Sequence, residues 1–363
     1  MTVTDSNARS RVRAPLRSLL QRKLVCIKSG DQSFLALRTR RATAPAVFAL
    51  LGAFGCGITV AAETPADAMA WLKKIAAASR QLNYAGTFVY QHGRQMESSR
   101  IAHMADANGE YEKLETLDGP PREIIRNNEN VTCYVPDNKT VIIEKRTARQ
   151  FPALLPEQLT GITDNYVVTK GGQDRVAGYD CQVIDLEPKD NLRYGHKYCA
   201  ELASGLALRS RTYNEKGEIV DLFVFTQLMI GNGVNKDMLK SRFAALSQGW
   251  QVDRAALDLR EAAPDSRWEF KSPLAGFRKL TEMKRSIPGR SAPVSHIVYS
   301  DGLAAVSVFL EPMPKSPPAA GATYQGAVNM YVKSSADQMV TVVGEAPAGT
   351  VKQIAESFTA KGR

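Results

Sequence analysis

The segment on which the architecture depends reads Val176-Ala-Gly-Tyr-Asp-Cys181-Gln-Val-Ile-Asp-Leu-Glu-Pro-Lys-Asp-Asn-Leu-Arg-Tyr-Gly-His-Lys-Tyr-Cys199-Ala-Glu-Leu-Ala-Ser-Gly-Leu-Ala-Leu-Arg-Ser-Arg211. Two runs of alternating apolar residues, 181–186 and 194–202, flank a polar loop at 187–193, which is typical of an antiparallel hairpin. Cys181 and Cys199 are equidistant from Asp190 in the middle of that loop. A hairpin closed there places the two cysteines opposite each other, where their Cβ atoms lie within disulfide reach.

Disulfides persist in oxidising compartments, so the cysteine pair predicts an exported protein that carries an export signal. A basic cluster of Arg38, Arg40 and Arg41 precedes an apolar run at 44–60, and the small residues 60–62 fit a signal-peptidase site. The apolar run is about 17 residues long and holds one proline and three glycines, which makes it marginal for a permanent membrane span. We therefore interpret it as a cleaved signal peptide.

Two further features concern this N-terminal part. Cys56 raises the alternative of a lipoprotein anchor, but the preceding Ala53-Phe54-Gly55 matches the usual lipidation box poorly. Residues 1–37 precede the signal, where a secretory leader normally has only a few residues, and this suggests that translation begins near Leu35 or Leu37. Residues 1–62 are predicted to be an N-terminal extension and signal peptide.

The net charge of the chain lies mainly in that leader. The 363 residues include 47 Lys and Arg against 37 Asp and Glu, a formal net charge of +10. Residues 1–62 contribute ten basic and two acidic side chains, or +8, which leaves +2 for the mature part. A charge this small gives no support for nucleic-acid binding.

A large first domain is predicted for residues 63–248. Its helix begins at Thr64-Pro65-Ala66-Asp67, which combines a capping residue, a proline at the first helical position and an acidic first turn. From Tyr84 the apolar period falls to two, and short turns separate about ten successive strands, which favours an antiparallel meander. The predicted fold class is α+β, with a strongly curved antiparallel sheet over one long helix.

A smaller second domain is predicted for residues 265–363, after a mixed-charge linker at 249–264. Its clearest feature is Asp301-Gly302, interpreted as a two-residue hairpin turn between strands at 296–300 and 303–310. A capping box formed by Thr350 and Gln353 begins a helix with one apolar stripe. This domain is therefore predicted to be a small antiparallel sheet with one packed helix.

The strand at 84–91 leaves two interpretations open. Alternation places Tyr84, Gly86, Phe88 and Tyr90 on one face of the strand. The aromatic side chains among them are either ordinary core residues or the lining of an apolar cavity between sheet and helix.

The sequence holds no recognisable catalytic or metal-binding set. Four histidines are scattered without ligand spacing, and there is no Cys-x-x-Cys pair. A Gly-x-Ser-x-Gly elbow, a phosphate loop and a complete dinucleotide fingerprint are also absent. We therefore predict that the protein is not an enzyme and has no catalytic residue, metal or cofactor.

A resemblance to a known family rests on the order and spacing of several segments and not on one motif. They are Tyr84-Ala-Gly-Thr-Phe-Val-Tyr90, Leu117-Asp-Gly-Pro-Pro-Arg-Glu-Ile-Ile-Arg126, 181–187 with 193–195, 204–206, 225–227, 296–308 and Val340-Thr-Val-Val-Gly-Glu345. Together these segments resemble the RseB/MucB family of periplasmic regulators of the sigma-E (AlgU-type) envelope-stress response. The resemblance covers essentially the whole mature chain, and it implies a LolA-like large domain, a smaller C-terminal domain and a periplasmic location.

The resemblance also implies a regulatory binding function. The protein is expected to bind the periplasmic domain of an anti-sigma factor of the RseA/MucA type, protect it from site-1 proteolysis and so restrain sigma-E. Acyl chains of lipoprotein or lipopolysaccharide (LPS) are expected to enter the large domain and release the partner. The alternative is a LolA-like periplasmic lipoprotein carrier, which needs only the large domain, and a homo-oligomer is left open.

Two sets of residues are predicted to carry this function. The lipid-binding set, in the large domain, is Phe88, Tyr90 and Tyr134. The partner-binding set, in the second domain, is Trp268, Phe277, Tyr299, Asp301 and Gly302. For each member the alternative is an ordinary role as a turn residue or a core aromatic.

Overall fold

The computed structural model describes residues 65–145, 154–156, 159–254, 259–261, 268–270, 274–285, 293–313, 317, 319–335 and 338–360. The predicted extension and signal peptide at 1–62, with Cys56, lie outside this part of the chain. Within it, no helix has the length and apolar character needed to cross a membrane.

The first domain is built on a twelve-stranded sheet, a long helix, α1 (Pro65–Gln81), and a single-turn helix, α2 (Ile162–Asn165). In chain order the strands are β1 (Tyr84–His92), β2 (Gln95–Asp106), β3 (Gly109–Thr116), β4 (Glu123–Asn127), β5 (Asn130–Val135), β6 (Thr140–Lys145), β7 (Tyr166–Val176), β8 (Tyr179–Pro188), β9 (Gly195–Glu201), β10 (Ala207–Tyr213), β11 (Ile219–Ile230) and β12 (Gln251–Asp253). Their spatial order is β12-β6-β5-β4-β3-β2-β1-β11-β10-β9-β8-β7. Neighbouring strands are antiparallel, apart from the parallel pair of β12 and β6. The predicted antiparallel sheet over one long helix is confirmed.

Helix α1 packs its apolar face against the sheet. Pro65 occupies the first helical position and Asp67 lies in the first turn, where both residue types favour a helix start. Ala68, Leu72 and Ile75 are buried in one core cluster with residues of β7 to β10. Since burial of one Leu or Ile side chain contributes about 1.5–3 kcal/mol, this face fixes where the helix lies on the sheet.

The hairpin of β8 and β9 contains the disulfide, in a different register from the predicted one. Cys181 and Cys199 are bonded, and their Cα atoms lie 5.4 Å apart. Across the two strands, however, Cys199 pairs with Val183 and Cys181 pairs with Glu201, so the bond joins a diagonal pair. The prediction that the cysteines stand directly opposite each other is therefore wrong. The loop is centred one residue later than predicted, because register depends on loop geometry that the polar loop residues do not specify.

The stretch at 249–264, predicted as a linker, contributes a short strand to each of the two large sheets. Strand β12 runs parallel to β6, and the amide of Gln251 donates to the carbonyl of Lys139 at 2.9 Å. Strand β13 (Leu259–Glu261) pairs with the second domain. Three-residue edge strands are too short to show an apolar period, so the mixed-charge sequence gave no sign of them.

The second domain is a seven-stranded sheet with one packed helix, α3 (Ala348–Ser357), as predicted in outline. The remaining strands are β14 (Trp268–Phe270), β15 (Arg278–Arg285), β16 (Val294–Ser300), β17 (Ala305–Pro312), β18 (Gly321–Gln325), β19 (Val328–Ser335), β20 (Gln338–Gly344) and β21 (Phe358–Ala360). The sheet order is β13-β15-β16-β17-β20-β19-β18, and β14 pairs separately with β21. Val351 and Ile354 of α3 are buried in one core with the inward side chains of β16, β17 and β20.

The turn between β16 and β17 is longer than predicted. Ser300 pairs with Ala305, so four residues, 301–304, connect the strands and not Asp301-Gly302 alone. The Asp301 carboxylate accepts hydrogen bonds from the amides of Leu303 and Ala304 at 2.9 and 2.8 Å. These bonds stabilise a wider turn than the short Asp-Gly hairpin, and they orient Asp301 toward the first domain.

Candidate functional site

A buried polar network joins the two domains through Tyr166, Arg193 and Asp301. Nη1 of Arg193 lies 3.0 Å from Oδ2 of Asp301, and both side chains are fully buried. The Tyr166 hydroxyl donates to the same oxygen at 2.9 Å. Arg193 also donates to the Asp190 carboxylate and to the carbonyl of Ala275. We refer to Tyr166, Arg193 and Asp301 as the interdomain network.

Three separate elements bring these groups together. Tyr166 begins β7, Arg193 lies in the loop between β8 and β9, and Asp301 begins the turn after β16. The Arg193 guanidinium also lies over the rings of Tyr166 and Phe277, 5.8 and 5.3 Å from their centroids. Burial, and then the nearby Asp301 carboxylate, raise the pKa of the Tyr166 hydroxyl, so it stays protonated and acts as the donor.

A second polar contact lies where the turn after β18 meets the edge of the first domain. Asp221 accepts from the amide of Ala327 at 3.1 Å and contacts Nδ1 of His92 at 2.8 Å. The Tyr90 hydroxyl donates to Asp221 at 3.1 Å. Burial, and then the charge of Asp221, raise the pKa of Tyr90 well above its ordinary value. Thus Tyr90, predicted to bind lipid, is engaged in a contact between the domains.

His196 lies in the buried region beside the interdomain network. Its ring is stacked on Tyr198 and meets Tyr166 edge-on, with centroids 6.3 Å away in each case. Within the described residues its Nε2 atom has no hydrogen-bond partner. Burial lowers the pKa of His196 to about 4, although Asp301 and Asp221 act in the opposite direction. The side chain is therefore neutral in the folded protein at neutral pH.

This burial predicts a loss of stability in mild acid. The unfolded chain has a histidine pKa of about 6.5, so it takes up a proton at a higher pH than the folded chain. The contribution of His196 to the free energy of unfolding is complete above pH ~6.5 and is lost as the pH falls to about 4. We expect a decrease of about 2 kcal/mol in unfolding free energy between pH ~7 and ~4.5.

Urea unfolding of the protein and of His196→Asn at the two pH values measures this loss. The variant is expected to be less stable at neutral pH but to depend less on pH, by about 2 kcal/mol over the interval. The same pH dependence in both proteins would show that His196 does not cause it.

Four of the five predicted partner-binding residues are buried, and the fifth, Gly302, is half-buried. Trp268, Phe277 and Tyr299 are each less than a tenth exposed and belong to the core of the second domain. Gly302 has a φ of +97°, and a Cβ atom there would lie 3.2 Å from the carbonyl of Thr160. As a surface for a partner this set stays a prediction. In the structure these residues pack the second domain and place it against the first.

Among the described residues, the aromatic side chains between α1 and the sheet pack closely on one another. Phe88 packs on Phe223 and Phe225, with ring centroids 5.0 and 6.1 Å away. A cavity of about 10 Å³ remains beside these rings, which is about the room that one water molecule occupies. Of the two interpretations of the aromatic strand face, the packing of the described residues favours ordinary core residues, and the apolar cavity stays a prediction.

The three residues predicted to bind lipid are not brought together. Phe88 lies in the filled interior, and Tyr90 lies at the second interdomain contact. Tyr134 of β5 pairs with Glu123 of the neighbouring strand β4, so the two side chains lie on the same face of the sheet. The Glu123 side chain points away from α1, and Tyr134 is therefore on the face opposite to Phe88. As lipid contacts these residues stay a prediction, and they do not form one site in this arrangement.

A larger cleft, of about 630 Å³, lies on that opposite face of β1, β2, β3 and β11. Its floor includes Ala85, Thr87 and Ala102, and Met229 forms one wall. Its roof is the segment 236–242, which we call the strap; it begins with the 3-10 turn Lys236–Leu239. The sheet and the strap thus form an open-ended space that reaches solvent.

The strap is fixed by the buried carboxylate of Glu123. The Ser241 hydroxyl donates to it at 2.6 Å, the amide of Arg242 at 3.0 Å, and Lys113 Nζ lies 3.2 Å away. Lys113 also donates to the carbonyl of Lys240 at 2.7 Å. Burial alone would raise the pKa of Glu123, but the bonds from Ser241 and Arg242 and the charge of Lys113 outweigh it and lower the pKa. The carboxylate is therefore ionised at neutral pH and secures the strap.

The rim of the cleft carries more cations than acids. Arg100 pairs with Glu115 at 3.5 Å, and Lys240 pairs with Asp237 at 2.7 Å. The charged lining residues are Arg100, Lys113, Lys240 and Arg242 against Glu115 and Asp237, a formal net charge of +2. The buried Glu123 carboxylate, which contacts Lys113 and Arg242, reduces this to +1. Among the residues that the structure describes, no group of three or more His, Cys, Asp or Glu side chains is arranged to hold a metal ion.

Sequence reasoning missed the cleft because it considered only the aromatic face of β1. The complementary positions, Ala85 and Thr87, carry small side chains, and Ala85 pairs with Ala102 of β2. Small residues at paired positions leave space above a sheet, so this pattern was a usable signal. The strap that makes the space a cleft was not predictable, since it lies more than 100 residues away in sequence.

The fold, the polar contacts between its domains and the cleft define a two-domain binding protein built on an unclosed sheet. Residues 67–243 match the family model of the MucB/RseB N-terminal domain, and residues 262–359 match that of the MucB/RseB C-terminal domain. The chain belongs to the MucB/RseB family.

Individual relatives agree with this assignment. The sigma factor AlgU regulatory protein MucB of Pseudomonas aeruginosa is 32% identical, over 85% of this chain and 96% of the relative. The sigma-E factor regulatory protein RseB of Escherichia coli K12 is 27% identical, over 82% and 92%. The structure of the P. aeruginosa MucA/MucB complex aligns with a TM-score of 0.64 and 29% identity, covering 82% of this chain and all of that chain. A crystal structure of MucB gives a TM-score of 0.57, at 29% identity, over 82% of this chain and 98% of that one.

Proposed function

We propose that this protein is a periplasmic regulatory binding protein that holds the periplasmic domain of an anti-sigma factor of the RseA/MucA type. One observation carries the proposal. Both domains match the MucB/RseB family in order, and the matched structure is a MucB chain in complex with MucA that this chain covers from end to end. The regulatory names of the relatives support the same role.

In this role the protein protects its partner by binding it and not by catalysing a reaction. A protease needs its substrate segment in an accessible, extended form, so a bound anti-sigma segment is protected from site-1 cleavage for as long as the complex lasts. Protection of the anti-sigma factor keeps sigma-E restrained. The family assignment supports a role of this kind, which requires no catalytic residue.

Release by an acyl-bearing ligand, such as lipoprotein or LPS, is the second part of the proposal. A ligand shifts the binding equilibrium only if it binds the free protein more tightly than the complex. A tenfold difference in ligand affinity between the free protein and the complex, about 1.4 kcal/mol, is enough to weaken partner binding tenfold. The proposed division of work assigns ligand sensing to residues 63–248 and partner binding to residues 265–363, across the stretch 249–264.

The interdomain network suggests how the predicted partner residues contribute. Asp301 is buried against the first domain, Gly302 is half-buried next to the carbonyl of Thr160, and Tyr299 is buried in the core beside them. We propose that they act by fixing the relative position of the two domains, so that a partner segment meets both. A lipoprotein carrier needs only the first domain, and the buried contacts to the second domain make that alternative the weaker one.

A capture and protection experiment tests the proposal. The mature protein is expected to retain a purified anti-sigma periplasmic segment and to slow its cleavage by a site-1 protease by at least about tenfold, which requires ~90% occupancy of the segment. An acylated ligand is expected to reverse both effects. A periplasmic segment of unrelated sequence serves as the control. Equal cleavage rates with and without the protein, at concentrations where capture is complete, would contradict the proposal.

A further inference from the structure

The cleft under the strap indicates where a ligand has room. Its volume of about 630 Å³ lies within the range of about 300–1,000 Å³ that is usual for small-molecule sites. The cavity beside Phe223 and Phe225, inside the sheet, has about 10 Å³, too little for an alkyl chain. Of these two spaces, the structure therefore provides ligand volume on the outer face of the sheet and not beside α1.

The floor of the cleft suits an unbranched apolar chain. Ala85 pairs with Ala102 on one side and with Met229 on the other, so two small side chains lie next to a methionine across neighbouring strands. Met229 and Met238 line the wall and the roof. Methionine side chains are flexible and polarisable, and they pack against apolar ligands of irregular shape.

The rim of the cleft suits an acidic group. Arg100 and Arg242 are both more than half exposed, and Glu115 contacts both of them. Glu115 itself is buried, and the Nε of Arg242 also donates to the buried Glu123 at 3.2 Å, so buried carboxylates orient two guanidinium side chains that stay more than half exposed. A planar guanidinium with free donors binds phosphate or carboxylate oxygens in pairs.

We infer that this cleft binds an amphiphile with one unbranched apolar chain and an acidic head group. The apolar chain of the ligand lies over Ala85 and Ala102, and its head group contacts Arg100 and Arg242 at the rim. The inference deepens the proposed function, because it gives the acyl-bearing ligand a site. It rests on that function only for the consequence of binding, and not for binding itself.

Calorimetric titration of the mature protein with monododecyl phosphate, below its micelle concentration, tests the inference. One molecule is expected to bind each protein chain. Dodecyl maltoside, with the same chain and a neutral head group, is expected to bind at least about tenfold more weakly, or ~1.4 kcal/mol. Inorganic phosphate is not expected to compete. Equal binding of the maltoside, or full competition by phosphate alone, would overturn the inference, since one half of the amphiphile would then contribute nothing.

Variants locate the site. Ala85→Leu places a larger side chain on the floor of the cleft and is expected to weaken the binding of monododecyl phosphate at least about tenfold. Arg100→Gln alters an exposed side chain. It is expected to weaken the binding of monododecyl phosphate about three- to tenfold and to leave the binding of dodecyl maltoside unchanged. Phe88→Leu, in the filled interior, is the matched control and is expected to bind like the unmodified protein. Urea unfolding verifies that each variant is folded.

The outcomes separate this inference from the proposed function. Loss of binding in Phe88→Leu with normal binding in Ala85→Leu would place the ligand inside the sheet and overturn the inference. Weaker capture of the anti-sigma segment by Ala85→Leu, with unchanged amphiphile binding, would assign the cleft to the partner and also overturn it. Amphiphile binding that Ala85→Leu abolishes, without release of a captured segment, would support the cleft and contradict only the proposed release.

Discussion

Replacement of Asp301 by alanine is expected to lower the free energy of unfolding by about 3–5 kcal/mol, the usual cost of removing one partner of a buried ion pair. The variant leaves the Arg193 guanidinium buried without this carboxylate and removes the acceptor of the Tyr166 hydroxyl. It also removes the acceptor of the amides of Leu303 and Ala304, which hold the turn. Urea unfolding followed by circular dichroism measures the change.

An exposed ion pair of the same domain provides the control for Asp301→Ala. Lys352 and Glu356 of α3 lie 3.7 Å apart, and each is 54% exposed. Since an exposed pair of this spacing contributes about 0.3–0.5 kcal/mol, Glu356→Ala is expected to change the unfolding free energy by no more than that. An equal, small effect of the two substitutions would show that the interdomain network does not stabilise the fold.

The variant Asp301→Asn removes the charge of this side chain but nearly keeps its shape, so it tests the effect of the charge alone. An asparagine in the same rotamer keeps an oxygen for the turn amides but leaves the buried guanidinium with less compensating charge. We expect an intermediate loss of stability, and we expect the domains to separate more readily under limited proteolysis near 249–264. Weaker protection of an anti-sigma segment by this variant, at a concentration where it is folded, would support a role for the domain arrangement in partner binding.

The architecture of the first domain was predictable because its signals are local. The period of two from Tyr84 and the short turns identify antiparallel neighbours, and Pro65 marks the start of α1. Register was less predictable, as the offset between Cys181 and Cys199 shows. A shift of one residue in the loop leaves every local pattern unchanged, so the sequence does not distinguish the two registers.

The candidate sites were much less predictable, because they depend on contacts between distant parts of the chain. Asp301 was selected as a turn residue, but its partners Tyr166 and Arg193 precede it by 135 and 108 residues. The strap reaches Glu123 across a separation of 118 residues. Alternation correctly places Phe88 on the inner face of the sheet, but it does not show whether the space beside it is full.

Reduction of the bond between Cys181 and Cys199 is expected to lower the unfolding free energy by about 3 kcal/mol. The two residues are 18 positions apart, and loop closure of that length restricts the unfolded chain by roughly this amount. Urea unfolding of the oxidised protein and of protein that has been reduced while unfolded, then refolded with reductant, measures the difference. Reduction in the unfolded state is needed because both cysteines are buried.

The folded state is expected to keep its packing after reduction, so the loss arises mainly in the unfolded chain. Both sulfur atoms lie in a cluster with Val176 and Leu208, and reduced cysteine packs as a small apolar side chain. A double variant with serine at both positions is therefore expected to be less stable than the reduced protein, because it buries two hydroxyl groups. It is also expected to be insensitive to reductant. A reduced protein as stable as the oxidised one would mean that the hairpin is already closed in the unfolded ensemble, and that the strands, rather than the bond, determine its formation.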